Sequence, residues 1–163
     1  METVNLGSVE IISDPDSAPS STSRSPSTAA PKRLTLQEAE LVLPNRLMRP
    51  QPLPGPLGFV GITEQVADTG TTVAVTSIYR GSPGIWVALT QFPTRISKFV
   101  VPDAITKATV GGRPAAMVTR RIMANRKEMT LLSLFWEQDG SLLQAHSAGL
   151  NESEIENFAA AVA

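Results

Sequence analysis

Between Leu57 and Ser147 the chain is a succession of short apolar runs divided by turn residues, and that rhythm restricts it to a sheet built largely from neighbouring strands. Runs such as Val73–Tyr79 and Thr130–Trp136 have the length and the β-branched or aromatic bias of strands. The spacing predicts strands over Phe59–Ala67, Thr72–Tyr79, Ile85–Phe92, Ala108–Val110, Ala115–Met123, Thr130–Trp136 and Leu142–His146. Asp68-Thr69-Gly70, Gly81-Ser82-Pro83-Gly84, Gly111-Gly112 and Asp139-Gly140 supply the breaks, with Asn125-Arg126-Lys127 in the same role. Such residues preset a turn or tolerate positive φ. Strands joined by connections this short pair antiparallel, as a meander.

Two helices flank the strands. Thr35 followed by Glu38 has the capping-box spacing, in which hydroxyl and carboxylate each satisfy a free backbone N–H. Leu36, Ala39 and Leu43 then share a helical face, and Pro44 ends the element. Asn151 and Glu154 repeat the cap, and Ile155, Phe158, Ala159 and Val162 form an apolar stripe that must dock. The crossing Pro50-Gln51-Pro52-Leu53-Pro54-Gly55-Pro56 suits a stiff extended strap, because proline fixes φ and removes donors.

From Ser13 to Arg33 the chain is dominated by Ser, Thr, Pro and Ala, with too little apolar surface to offset its entropy. Residues 1–33 are therefore expected to be a disordered leader and 34–163 a single α+β domain. Val4, Leu6, Val9, Ile11 and Ile12 could instead form a short strand or docking motif; scattered aliphatics in an unstructured leader are the ordinary reading. The expected fold class is α+β: a curved, half-barrel-like antiparallel sheet with helices packed on one face. In Ile85–Phe92, Ile85, Val87 and Leu89 oppose Trp86, Ala88, Thr90 and Phe92; in Thr130–Trp136, Leu132, Leu134 and Trp136 oppose Leu131 and Phe135. Apolar residues on both sides mean that both faces are at least partly covered. The helices can cover one; the other awaits a sheet folded over itself, a ligand or a partner.

Composition removes several function classes. Fourteen Lys and Arg against 15 Asp and Glu give a net charge of −1, which supplies no pull toward nucleic acid or anionic membrane. With no cysteine there is no disulfide, thiolate metal site or cysteine nucleophile, and one histidine leaves only oxygen ligands for a metal. No cofactor is expected: the Gly111-Gly112-Arg113-Pro114 segment lacks a P-loop lysine and the dinucleotide glycine spacing. No apolar run approaches the length of a spanning helix, and the first residues lack a secretory pattern. If Met1 is the true start, a cytoplasmic location follows.

Candidate sites are few. His146, the lone histidine, would need a nucleophile and an orienting acid to act as a base; Ser147 is poorly placed, since adjacent strand residues point oppositely. Arg113, Arg120, Arg121, Arg126 and Lys127 could contact an anion, although a hairpin edge guarded by charge explains them more simply. Trp86, Phe92 and Trp136 could line a concave surface for a ligand or partner, against the default of core packing. Asn151-Glu152-Ser153 matches a glycosylation acceptor, which a helix cap accounts for more economically.

The order of motifs carries a resemblance. A helix and the strap Leu53-Pro54-Gly55-Pro56-Leu57-Gly58-Phe59 come first. Val110-Gly111-Gly112-Arg113-Pro114-Ala115 and Leu134-Phe135-Trp136-Glu137-Gln138-Asp139-Gly140 follow, before a closing helix. From about Leu34 to Ala163 this resembles the bacterial domain-of-unknown-function family numbered 4367. Such domains are typically extracytoplasmic, often behind an anti-sigma-factor region and one spanning helix, and related in architecture to lipoprotein carriers. The resemblance implies a sensing or binding role and supplies no catalytic residues. This chain has neither the spanning helix nor the His/Cys zinc segment of the anti-sigma type.

The functional expectation is a non-enzymatic binding or sensor module that accepts a hydrophobic ligand or a protein partner on its sheet. The alternatives are an interaction domain with a fully packed core and, more distantly, a hydrolase using His146. A cavity lined by Trp86, Phe92 or Trp136 would favour the first. A polar cleft at His146 with a serine and a carboxylate nearby would favour the last.

Overall fold

A computed structural model of the chain describes residues 2–16, 32–43, 46–55, 57–67, 69–93 and 95–163. Its strands run β1 (Glu2–Asn5), β2 (Glu10–Ser13), β3 (Lys32–Leu34), then after helix α1 (Leu36–Val42) β4 (Gly58–Val66), β5 (Thr72–Arg80) and β6 (Trp86–Gln91). They continue as β7 (Lys98–Val101), β8 (Ile105–Val110), β9 (Arg113–Ala124), β10 (Lys127–Gln138) and β11 (Ser141–Ala148), and helix α2 (Glu152–Ala160) closes the chain.

An open eight-stranded antiparallel sheet has the order β3-β4-β5-β6-β11-β10-β9-β8, and a three-stranded sheet the order β1-β2-β7. The expected meander is therefore two meanders joined in the middle. After Gln91 the chain leaves the large sheet to form β7, returns at the far edge as β8, and works inward by hairpins until β11 pairs with β6. The hairpin loops are the ones the turn residues mark. Asn125 (φ 50°) and Arg126 (φ 63°) close β9–β10, and Asp139 (φ 51°) with Gly140 closes β10–β11. Positive φ at both loop positions matches the right-handed twist of the flanking strands.

Both capping boxes form. The Thr35 hydroxyl accepts from the Glu38 N–H at 3.2 Å and the Glu38 carboxylate from the Thr35 N–H at 3.1 Å; for Asn151 and Glu154 the distances are 2.8 and 3.1 Å. Pro44, Pro56, Asp68 and most of the Ser13–Arg33 tract lie outside the described residues.

One face of the large sheet, here the first, carries Val87, Leu89, Leu134, Trp136, Leu143 and Ala145, which share a buried cluster with Ile155, Phe158 and Ala159 of α2. A smaller cluster joins Ala39 of α1 and Leu43 to Ile62 and Val75. Trp136 Nε1 donates to Gln138 Oε1 at 3.0 Å, and Gln138 Nε2 donates to the Val162 carbonyl at 2.9 Å. The segment leading into the strap is fastened to the same face, because the Met48 N–H donates to Gln91 Oε1 and Gln91 Nε2 donates to the Arg46 carbonyl.

On the second face the leader expectation is corrected. Residues 2–13 are not a loose tail: β1 pairs antiparallel with β2, and β2 pairs parallel with β7. Val4, Leu6, Val9 and Ile11 are buried with Phe99 and Val101 against Ala74, Phe92, Ala116, Val118, Phe135 and Leu142. The Ser8 N–H and hydroxyl both donate to Glu137 Oε2, at 3.0 and 2.6 Å, which ties the β1–β2 turn to β10. Burial alternates along Val9, Ile11 and Ser13, the period of a strand with one face on a core. A small sheet made of the two N-terminal strands and the mid-chain strand β7 thus covers one end of the second face.

Candidate functional site

The small sheet stops short of covering the second face, and where it stops there is a cleft of about 180 Å³. It is lined by Phe99, Val100, Val101, Pro102 and Asp103 of β7 and the loop after it, and by Val118, Arg120, Leu131, Ser133, Phe135, Gln144 and His146 of the large sheet. Strand alternation explains the composition. Leu131, Ser133 and Phe135 of β10 and Gln144 and His146 of β11 all point to the second face, and Arg120 of β9 joins them.

Ser133 and His146 stand directly opposite in the β10–β11 register, with Ser133 Oγ 2.6 Å from His146 Nδ1. Burial, and behind it the Arg120 charge, holds the imidazole below its ordinary value of 6.5, so it is neutral at pH 7. The carboxylate of the cleft serves another partner: Asp103 accepts from Arg120 Nη2 at 2.6 Å and from Nε at 3.2 Å. The Asp103 carbonyl accepts from the Ser13 hydroxyl at 2.6 Å, so β2 fixes the loop that presents this acid.

Chemically, a hydroxyl and a neutral imidazole in contact can transfer a proton. Acyl transfer also needs donors aimed at a developing oxyanion. Here β10 and β11 are interior strands, each paired on both sides, and their backbone N–H groups are committed to the ladders. Among the described residues no group of three acidic or imidazole side chains could hold a metal ion, and no helix is long and apolar enough to cross a membrane.

The three aromatic candidates do not converge. Trp136 is fully buried on the first face, and Phe92 is buried on the second with its ring 5.7 Å from Phe99. Neither lines the cleft, and nor does Trp86. Trp86 is half-buried on the second face with its ring 5.3 Å from that of His146, so it borders the site from the β6 side. Ser147 is turned away, as expected, and its hydroxyl donates to the Trp86 carbonyl.

The basic residues do not form one patch either. Arg120 is bound to Asp103, while Arg121 is exposed on the other face, 3.8 Å from Glu128. Arg126 and Lys127 occupy the β9–β10 tip, and Arg113 lies at the opposite end of β9, 3.5 Å from Gln138 Oε1. Sequence reasoning missed Ser133 as the partner of His146, although a signal was present. A two-residue loop at Asp139-Gly140 pairs Gln138 with Ser141, and counting back five residues along each arm arrives at Ser133 and His146.

No protein-family model, curated protein or solved structure matches the chain.

Proposed function

We propose that this chain is a non-enzymatic binding or sensor module whose docking surface is the cleft and the half-exposed sheet around it. The single observation behind this reading is an open cleft whose lining combines the apolar Phe99, Val118, Leu131 and Phe135 with the polar Ser133, Gln144 and His146. Ligand sites combine an apolar lining with a few polar groups that fix orientation. At about 180 Å³ the cleft is below the roughly 300–1,000 Å³ of drug-sized pockets, which favours one or two side chains of a protein partner over an acyl chain. The finer architecture in this reading is a curved half-barrel with both helices on the first face and the partner on the second. The resemblance to the bacterial family numbered 4367 is in keeping with a sensing role and an extracytoplasmic setting.

The test is a titration of the isotopically labelled protein with a library of small apolar amides and acids, read by amide chemical shifts. Perturbations gathered at Val100, Leu131, Ser133, Gln144 and His146, with the Trp86 indole responding, support the reading. Scattered shifts, or none, count against it.

The hydrolase reading has one observation in its favour, the contact between Ser133 and His146. Covalent labelling of Ser133 by a fluorophosphonate, lost in His146→Gln, would establish it over the binding module.

A further inference from the structure

We infer that the occupant of the cleft is an extended polypeptide segment that adds to the free edge of β7 as a fourth strand of the small sheet; this rests on the binding reading above and names its partner. β7 is the last strand in the order β1-β2-β7, and no described strand pairs on its other side. The β2 side of the ladder uses the Ser97 carbonyl, which accepts from the Glu10 N–H at 2.9 Å, and the Val101 carbonyl, which accepts from the Asp14 N–H at 2.9 Å. Successive residues of a strand send their backbone groups to opposite edges. Ser97, Phe99 and Val101 therefore face β2, while the N–H and C=O of Lys98 and Val100 face outward. Pro102, without an N–H, ends that edge.

The edge opens on the cleft. β1 contacts β8 and β9, and at the other side of the small sheet the Phe99 ring of β7 is 5.0 Å from Phe135 of β10, with β7, β10 and β11 sharing the cleft lining. Val100, Leu131, Ser133 and His146 meet in the cleft beside it. Unpaired strand groups are best complemented by another backbone, and alternate side chains of the added strand then supply specificity. Partner residues opposite Phe99 and Val101 point down toward Leu131, Ser133 and His146, where small or medium apolar side chains fit. The residue opposite Lys98 points out beside that exposed ammonium, and Arg95 is exposed just ahead of it, so an acidic side chain complements this end. The motif is an acidic residue at one end of alternating apolar ones, at the N-terminal end for a parallel strand and at the C-terminal end for an antiparallel one.

The experiment selects binders from a phage-displayed library of short random peptides on the full chain, then measures their affinity for the protein and for Val100→Pro. That substitution removes an outward N–H, and Phe99 and Val101 keep the pairing with β2. The expected result is enrichment of the acidic–apolar pattern, with roughly tenfold or greater weakening in Val100→Pro, about 1.4 kcal/mol or more. As a readout that needs no variant, N-methylation of the peptide at alternate amides should abolish binding in one phase and leave it intact in the other. Peptides that shift Leu131, Ser133 and His146 but ignore both changes overturn strand addition and leave the binding reading standing. So does failure to select any peptide while small amides still bind the cleft. Silence of the cleft toward peptides and amides alike removes both.

Discussion

Ser133 Oγ and His146 Nδ1 lie 2.6 Å apart across the β10–β11 ladder, while the Asp103 carboxylate, the only one lining the cleft among the described residues, is held by Arg120. The imidazole is thus built into a half-buried sheet face with a neutral hydroxyl as its partner and the Arg120 cation acting on it. That arrangement disfavours imidazolium in the folded chain. It makes the histidine a more informative probe of stability than of catalysis.

The first prediction is its pH dependence. Burial, then Arg120, lowers the folded-state value of His146 from 6.5, so between the two values the unfolded chain binds more protons. This contribution to stability is fully present above the unfolded value and is lost as pH falls through the folded one. Thermal unfolding from pH 7.5 down to about pH 5 should show a falling Tm whose acid slope is shallower in His146→Gln. An unchanged slope in the variant would place the acid sensitivity elsewhere.

A chain beginning at Lys32 should be markedly less stable than the full one. It lacks Val4, Leu6, Val9 and Ile11, all buried in the second-face cluster, and leaves Phe99 and Val101 uncovered. At about 1.5–3 kcal/mol per buried aliphatic side chain the loss amounts to several kcal/mol. The composition of the leader leads to the opposite expectation, a stable remainder after proteolysis has stripped residues before about Leu34. Urea denaturation of the two chains decides between them: equal midpoints would return the N-terminal strands to the status of a dispensable tail.

What was legible in the chain follows how local each determinant is. Two capping boxes and the Asp139-Gly140 loop are decided by residues a few positions apart, and they stand where the spacing puts them. β7 was missed because Lys98–Val101 is a four-residue run stopped by a proline, and its pairing partner Glu10–Ser13 sits far upstream in a stretch that composition marks as unstructured. The aromatic candidates are divided between the two faces for a related reason. Alternation places Trp86 opposite Val87, and Trp136 with Leu134, on each strand separately. Only the pairing of β11 with β6 shows that Trp136 shares its face with Val87. Local chemistry fixes turns and caps; which strand lies beside which is a non-local balance of burial that one sequence shows only through register.

Tyr79→Phe should leave the protein as stable or raise stability by up to about 1 kcal/mol. The Tyr79 ring packs against Phe158 at 5.5 Å and Phe59 at 5.7 Å, contacts that phenylalanine retains. Its buried hydroxyl makes no hydrogen bond of standard geometry among the described residues, only a weaker interaction with the Ser77 side chain, and burial, outweighing the Arg49 charge and Ser77, pushes the phenol above its ordinary value. Removing a stranded polar atom from an apolar site returns part of its desolvation cost. A loss of more than about 1 kcal/mol on chemical denaturation would show that the hydroxyl is satisfied in solution.

Gly149→Ala should be among the most damaging single-methyl changes in the chain. Gly149 leads from β11 into α2 with φ +87°, a conformation that an L-residue adopts only under strain. A Cβ there would stand 2.8 Å from the Gly84 carbonyl oxygen and 2.8 Å from Ile85 Cγ1, so the β5–β6 loop must move to admit it. Gly70→Ala is the matched control, since φ is +86° there but nothing lies within 4 Å of the added atom. Backbone strain of about 1–2 kcal/mol is common to both, and the clash adds about 1–3 kcal/mol at Gly149 alone. Urea midpoints that fall equally in the two variants would mean that the loop yields freely, and that the junction between the central hairpin and the closing helix is held only by its capping box and its buried stripe.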